Sequence, residues 1–378
     1  ILTNSKPLKT EAVENLRVLA HEFFHAWNVE RLRPASLEPF DFENENLSDE
    51  LWFGEGVTNY YDRLVLRRAG IISLDKFAKE FSVVLDKVLN TPSRRHFSPV
   101  DMSRQAAFAD GASFRDPLNH ENIFISYYTY GAAISLGLDL VLRTEFENLS
   151  LDDFMRLLWQ KFGRTEKPFT NDDLQKLLAH LTRDKKFAAR FFNEHIYGNA
   201  LPDYDRLLGA AGLFLRRKNK GKAWLGKIEL LYEDGKAKLK SGTEAGSPLY
   251  LAGIDRNDFI LSIGEKPISS KEEFDAALEG YSPGDQVILE VEQHAKKDTV
   301  AVTLQEDHTL EIVPYEQAGL AVTDEIRAFR ECWLGSRVAK GKIELKKYCP
   351  KCRRDFAFEF EYCPYDGEML GITPSKGE

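Results

Sequence analysis

The chain has 378 residues, of which 43% are apolar and 12% aromatic, with a formal net charge of −9. Such a chain can bury two or three domain cores, which excludes a disordered polymer. The acidic balance gives nucleic acid or an anionic membrane no general electrostatic hold, so no nucleic-acid partner is expected. No apolar run reaches the roughly 18 residues of a spanning helix, and Asp139 interrupts the longest candidate, 132–142.

In chain order, residues 1–205 read as helical. Apolar residues recur with helical period over 16–27, 51–65, 77–88, 128–142, 151–162 and 174–192. Thr10, followed by Glu11 and Glu14, reads as a helix start. Ser48 with Asp49 and Glu50 reads as another, with Gly70 as its stop. Residues 94–122 are polar with scattered Pro and Gly, and are expected to form a long loop.

The texture changes near Gly209–Gly212. Short β-rich segments follow at 227–231, 236–239, 259–263, 286–292 and 299–304, separated by Glu233-Asp234-Gly235 and Ser282-Pro283-Gly284-Asp285. A helix over 271–278 follows Ser269-Ser270. The reading is an α+β domain over 206–305, a connector with one helix over 306–345, and a small cysteine-bearing module with a polar tail over 346–378. The chain opens with Ile1 and shows no signal-like segment; it reads as a fragment. Three of its four cysteines cluster near the end and Cys332 stands alone. That is a metal knuckle in a reducing compartment rather than a disulfide framework, and a cytoplasmic location is expected.

The chemistry concentrates at His21-Glu22-Phe23-Phe24-His25. Helix positions i and i+4 share a face, so two imidazoles project together from one turn to the next. Zinc accepts imidazole and, in a catalytic site, takes three protein ligands and keeps a fourth position for water. Glu22 stands beside the first histidine, where it can take a proton from that water as general base. A buried pair of core histidines is the bland alternative, but apolar flanks would leave both rings and the carboxylate needing partners. The third ligand should come from another helix, and Glu55 is the acidic group on the apolar background of Leu51-Trp52-Phe53-Gly54-Glu55-Gly56. Gly54 and Gly56 each cost about 1 kcal/mol in a helix, which suits a close backbone approach. Asn59, one turn on, is expected to hydrogen-bond a ligand histidine. Tyr127, Tyr128 and Tyr130 open a later apolar helix, and nothing in the pattern alone singles out one of them as an oxyanion donor.

Together these segments resemble the glycyl aminopeptidase-type metallopeptidases, a PDZ-containing gluzincin family. The match runs through His21–Val29, Arg31-Leu32-Arg33-Pro34, Leu51–Gly56 with Tyr60-Tyr61, and Ser126–Gly131. It continues through Asn171-Asp172-Asp173-Leu174, Phe191-Phe192 and Leu207–Gly212. The resemblance implies a mainly α-helical gluzincin catalytic domain with one catalytic zinc on His21, His25 and Glu55. It implies Glu22 as general base and Tyr128 as oxyanion donor. Tyr130 stands where the family pattern leads one to expect Lys. The family also implies an N-terminal β-rich domain with an amine-binding element. Only 20 residues precede His21, so no residue of this chain is assigned to that role.

Ala223-Trp224-Leu225-Gly226 and Ala245–Gly264 resemble a bacterial-type PDZ domain, with Trp224, Leu225 and Gly226 as the loop that would hold a peptide C-terminus. Cys349-Pro350-Lys351-Cys352 and Cys363-Pro364-Tyr365-Asp366-Gly367 resemble a small zinc ribbon with Asp366 in place of a fourth cysteine. The expectation is a second, structural zinc on Cys349, Cys352, Cys363 and Asp366; a module that has lost its metal is the alternative. The leading functional reading is a zinc aminopeptidase acting on peptide or protein substrates. A PDZ-guided endopeptidase and a catalytically inactive scaffold are its competitors.

Overall fold

The computed structural model describes residues 7, 11–109, 116, 118–147, 149–233, 235–336, 346–357, 360 and 362–373. Besides short turns, the first region holds nine helices among the described residues: α1 (Ala12–Phe24), α2 (Leu51–Arg68), α3 (Leu74–Asn90), α4 (Pro99–Arg104), α5 (Tyr127–Glu145), α6 (Leu151–Lys161), α7 (Asn171–Thr182), α8 (Lys185–Phe191) and α9 (Tyr204–Ala210). The central pair is α2 and α5. A methyl group on Gly56 would lie 2.3 Å from Gly131 Cα, and one on Gly131 would lie 2.0 Å from the Trp52 carbonyl oxygen. The two backbones therefore touch, which explains glycine inside both helices. Phe53, Tyr60 and Leu64 of α2, Phe77, Phe81 and Leu85 of α3, and Ile134 and Leu136 of α5 are buried around this crossing. Each such side chain contributes roughly 1.5–3 kcal/mol.

Several boundaries differ from the sequence reading. The start at Thr10 lies outside the described residues. Ser48 does not cap α2: the cap position is Glu50, and Ser48 Oγ bonds the Glu50 carboxylate instead. Gly70 does end that segment, at φ +74°. The stretch 174–192 is two helices, because Arg183 turns left-handed at φ +55° and Asp184 caps α8 by accepting from Lys186 N and Phe187 N. The expected loop over 94–122 contains α4, started by a capping box between Ser98 and Asp101.

After α9 come β1 (Leu213–Arg217), β2 (Ala223–Trp224), β3 (Leu230–Glu233), β4 (Lys236–Leu239), β5 (Phe259–Ile263), β6 (Lys266–Pro267), α10 (Lys271–Leu278), β7 (Gln286–Gln293), β8 (Lys296–Thr303), β9 (Gln305–Glu306) and β10 (Leu310–Pro314). The main sheet has the order β3-β4-β5-β7-β8, with β6 paired to β5. It buries its own core of Leu239, Ile260, Ile263, Leu289 and Val291, among others. The strand expected at 227–231 starts later, at Leu230, and that expected at 299–304 starts earlier, at Lys296. The second shift follows from a tight turn at His294 and Ala295, both at positive φ.

The stretch read as a connector with one helix packs on both regions that precede it. β10 pairs with β1 in register from Leu213↔Pro314 to Arg217↔Leu310. α11 (Asp324–Leu334), capped by Thr323, buries Trp333 and Leu334 in the helical core. Trp333 Nε1 donates to Tyr60 Oη at 3.0 Å, and Arg68 Nε donates to the Trp333 carbonyl at 2.9 Å. Last come β11 (Lys346–Tyr348), β12 (Asp355–Ala357) and β13 (Gly371–Thr373), which form a three-stranded sheet in the order β12-β11-β13.

Candidate metal centre

α1 lies along α2, with Phe24 stacked on Tyr61 at 4.7 Å and 15°. That contact turns His21 and His25 toward the first half of α2, where Glu55 sits. His21 Nε2 is 3.1 Å from His25 Nε2, and each is 3.2 Å from Glu55 Oε2. His25 Nδ1 lies 3.0 Å from the Asn28 carbonyl oxygen, which can only accept, so the proton sits on Nδ1. His21 Nδ1 faces Asp62 Oδ2 at 3.4 Å in the same sense. Both Nε2 atoms then present lone pairs to each other and to a carboxylate oxygen.

Three converging acceptors with no donor between them call for a cation. The ionisation of the metal-free site agrees. Burial alone would lower His21, but the hydrogen bonds and charges of Asp62 and Glu55 outweigh it and raise its pKa to about 9. His25 is also raised, against its burial, chiefly by Glu55. Glu55 is pulled down to about 2, since the two imidazoles outweigh its burial. The spacing fits zinc: ligands at 2.0–2.1 Å in a tetrahedron stand about 3.3 Å apart, close to the observed 3.1 and 3.2 Å. Two imidazoles and a carboxylate are a catalytic zinc donor set.

Glu22 is exposed on α1, beside His21. The three tyrosines, alike in the sequence, are separated by the fold. Tyr127 and Tyr130 are buried in the core. The half-buried Tyr128 stacks on His21 with ring centroids 5.9 Å apart and planes 23° apart.

Asn59 is a correction. Its Nδ2 donates to the Tyr128 carbonyl at 3.1 Å and its Oδ1 accepts from Arg63 at 2.9 Å, so it ties α2 to the start of α5 and touches neither histidine. His21 and His25 are held instead by Asp62 and the Asn28 carbonyl, which the sequence reading missed. Asp62 was findable: seven residues, or two turns, beyond Glu55 is the same helix face.

Cys349, Cys352, Cys363 and Asp366 also come together, with ligand atoms all within 4.8 Å of one another. Cys352 Sγ is 3.6 Å from Cys363 Sγ, and Cys349 Sγ is 3.5 Å from both Asp366 carboxylate oxygens. Thiolates 2.3 Å from a tetrahedral zinc stand about 3.8 Å apart. In the sheet-rich domain, Trp224, Leu225 and Gly226 line a cavity of about 660 Å³ with Phe274, Leu278 and Tyr281. β3 is the sheet's edge strand, Gly226 has φ +141°, and the Trp224 ring contacts His308 at 4.3 Å.

Comparison with known proteins meets this geometry from outside. Residues 14–134 match the M61 glycyl aminopeptidase family and residues 238–304 the PDZ domain, the pairing that the sequence resemblance anticipates. Among solved structures, the chain is similar to an aminopeptidase N family protein from Idiomarina loihiensis, at TM-score 0.74 and 23% identity over 87% of this chain and 57% of that one. It thus spans little more than half the length of that protein. A serine endoprotease from Yersinia pestis aligns at TM-score 0.20 and 24% identity, over 23% of this chain and 29% of that one. No curated protein matches. Residues 14–134 are thus similar to the M61 family, within a helical region that is followed by a sheet-rich domain similar to PDZ domains. Among the described residues no helix is long and apolar enough to cross a membrane.

Proposed function

We propose that this chain carries the catalytic machinery of a zinc-dependent peptidase of aminopeptidase type. The observation that carries the reading is the convergence of His21 Nε2, His25 Nε2 and Glu55 Oε2 at 3.1–3.2 Å with their outer nitrogens held by acceptors. His21, His25 and Glu55 would hold the metal. Bound zinc lowers the pKa of its water and polarises the scissile carbonyl. Glu22 takes the proton released when water attacks that carbonyl and passes it to the leaving amine. Tyr128, stacked on His21 at the head of α5, donates its phenolic O–H to the oxyanion of the tetrahedral intermediate. The Asn59 bond to the Tyr128 backbone carbonyl anchors the backbone from which that ring projects.

Glu22→Gln keeps a similar shape but removes the base. Turnover should fall by about 10²–10⁴-fold, with one zinc retained at the helical site; a variant that turns over like the wild type overturns the reading. The aminopeptidase character rests on the family likeness, and N-acetylation of a peptide substrate tests it. An aminopeptidase loses that substrate, whereas a PDZ-guided endopeptidase still cleaves it. We further propose that the groove beside Trp224–Gly226 accepts a peptide C-terminus. Cys349, Cys352, Cys363 and Asp366 would hold a structural zinc, as suits a protein of a reducing compartment such as the cytoplasm.

A further inference from the structure

Asn28 lies just past the end of α1 and is fully buried. Its carbonyl oxygen takes the His25 Nδ1–H at 3.0 Å. Its side-chain Nδ2 faces the Gly54 and Phe53 carbonyl oxygens at 2.8 and 3.2 Å and Thr58 Oγ1 at 3.1 Å. Those acceptors bracket Glu55 along α2. One residue thus grips the second histidine with its backbone and the glutamate's helix with its side chain. The amide cannot be turned over. The Thr58 hydroxyl already donates to the Gly54 carbonyl at 2.7 Å, so a reversed Oδ1 would face acceptors alone. In the observed orientation Oδ1 has no hydrogen-bond partner. A buried, half-satisfied amide is a poor choice for stability, and its persistence calls for a positional reason.

The next residue supplies a second sign of constraint. Val29 is β-branched yet sits at φ +95°, a strained conformation. Its Cγ2 would stand 3.2 Å from a methyl on Gly54, so the glycine beside Glu55 leaves room for this turn.

We infer that Asn28 is a positioning residue for the cation site, setting the separation of His25 Nε2 from Glu55 Oε2 by clamping the α1 terminus onto α2. The inference rests on the zinc reading above. Full-length protein carrying Cys349→Ser and Cys352→Ser, so that the C-terminal cluster does not compete, is titrated with cobalt(II) and followed by its d–d absorption. Adding Asn28→Ala should lower cobalt affinity about 10–100-fold and shift the bands. Leu85→Ala, a fully buried position on α3, controls for stability: its melting temperature falls, while affinity and bands stay as they were. Unchanged affinity and bands in Asn28→Ala overturn the inference. Should that variant not fold, Thr58→Val removes one of the three acceptors and should give a smaller change in both readouts; none there overturns the inference equally. If the protein without the Asn28 change binds no cobalt, the zinc reading itself has failed, and that titration tells the two failures apart.

Discussion

His21, His25 and Glu55 project from two helices whose neighbours form the large apolar core around Phe53, Tyr60 and Phe81. Cys349, Cys352, Cys363 and Asp366 sit in a three-stranded piece whose buried residues, among the described ones, are Cys349, Cys363 and Leu370, two of them proposed ligands. In the first region the fold positions the proposed ligands, so the three atoms stand together whether the occupant is a metal or a proton. In the second, the described residues offer little apolar burial to oppose chain entropy, so a bound metal would supply much of the folding free energy. The same element would be a reagent at one site and a staple at the other.

The strongest way to break this contrast is removal of metal. Cys363→Ala, or a chelator, should abolish amide-exchange protection at Lys347 and Tyr348 while the main melting transition of the helical region persists. Loss of both regions together would mean that the first site is also structural. A sharper probe is Asp62→Asn, which keeps a side chain beside His21 Nδ1 but removes its charge. Zinc affinity at the helical site should drop about 10–100-fold, measured by competition with a chromogenic chelator, and the C-terminal site should not respond.

The smallest effect is a pH dependence of the metal-free helical region. His21 is raised from 6.5 to about 9, so its contribution to stability is fully present below pH 6.5 and lost as pH rises through 9. Glu55 is lowered from 4.5 to about 2, so its contribution is present above pH 4.5 and lost as pH falls through 2. The melting temperature of metal-free protein should therefore decline between pH 6.5 and 9, and saturating zinc should flatten that decline by replacing the proton. A decline that zinc leaves unaltered would place its cause elsewhere.

Much of this was legible in the chain because the relevant signals are local. The His21–His25 spacing, the Ser270 cap before α10 and the alternation of β7 need only a few neighbouring residues. What escaped depended on tertiary partners. Asn59 and Asp62, four and seven residues beyond Glu55, are both legible as polar residues on its side of α2, but the placement of α1 and α5 decides which one reaches a histidine. Trp333 looked like part of a connector until Tyr60 supplied a hydroxyl for its indole. The β7–β8 hairpin turns on His294 and Ala295 at positive φ, without the Asn-Gly or Gly signal that would have announced it.

The Gly56–Gly131 contact has a mechanical consequence. With no side chain between them, α2 and α5 leave no layer on which one helix could slide or roll over the other. Glu55 and Tyr128 therefore travel as one rigid part. Any opening of the proposed site to admit a substrate or let go of a product must then come from elements other than this pair. The proposed third ligand and oxyanion donor would stay fixed relative to each other throughout the cycle.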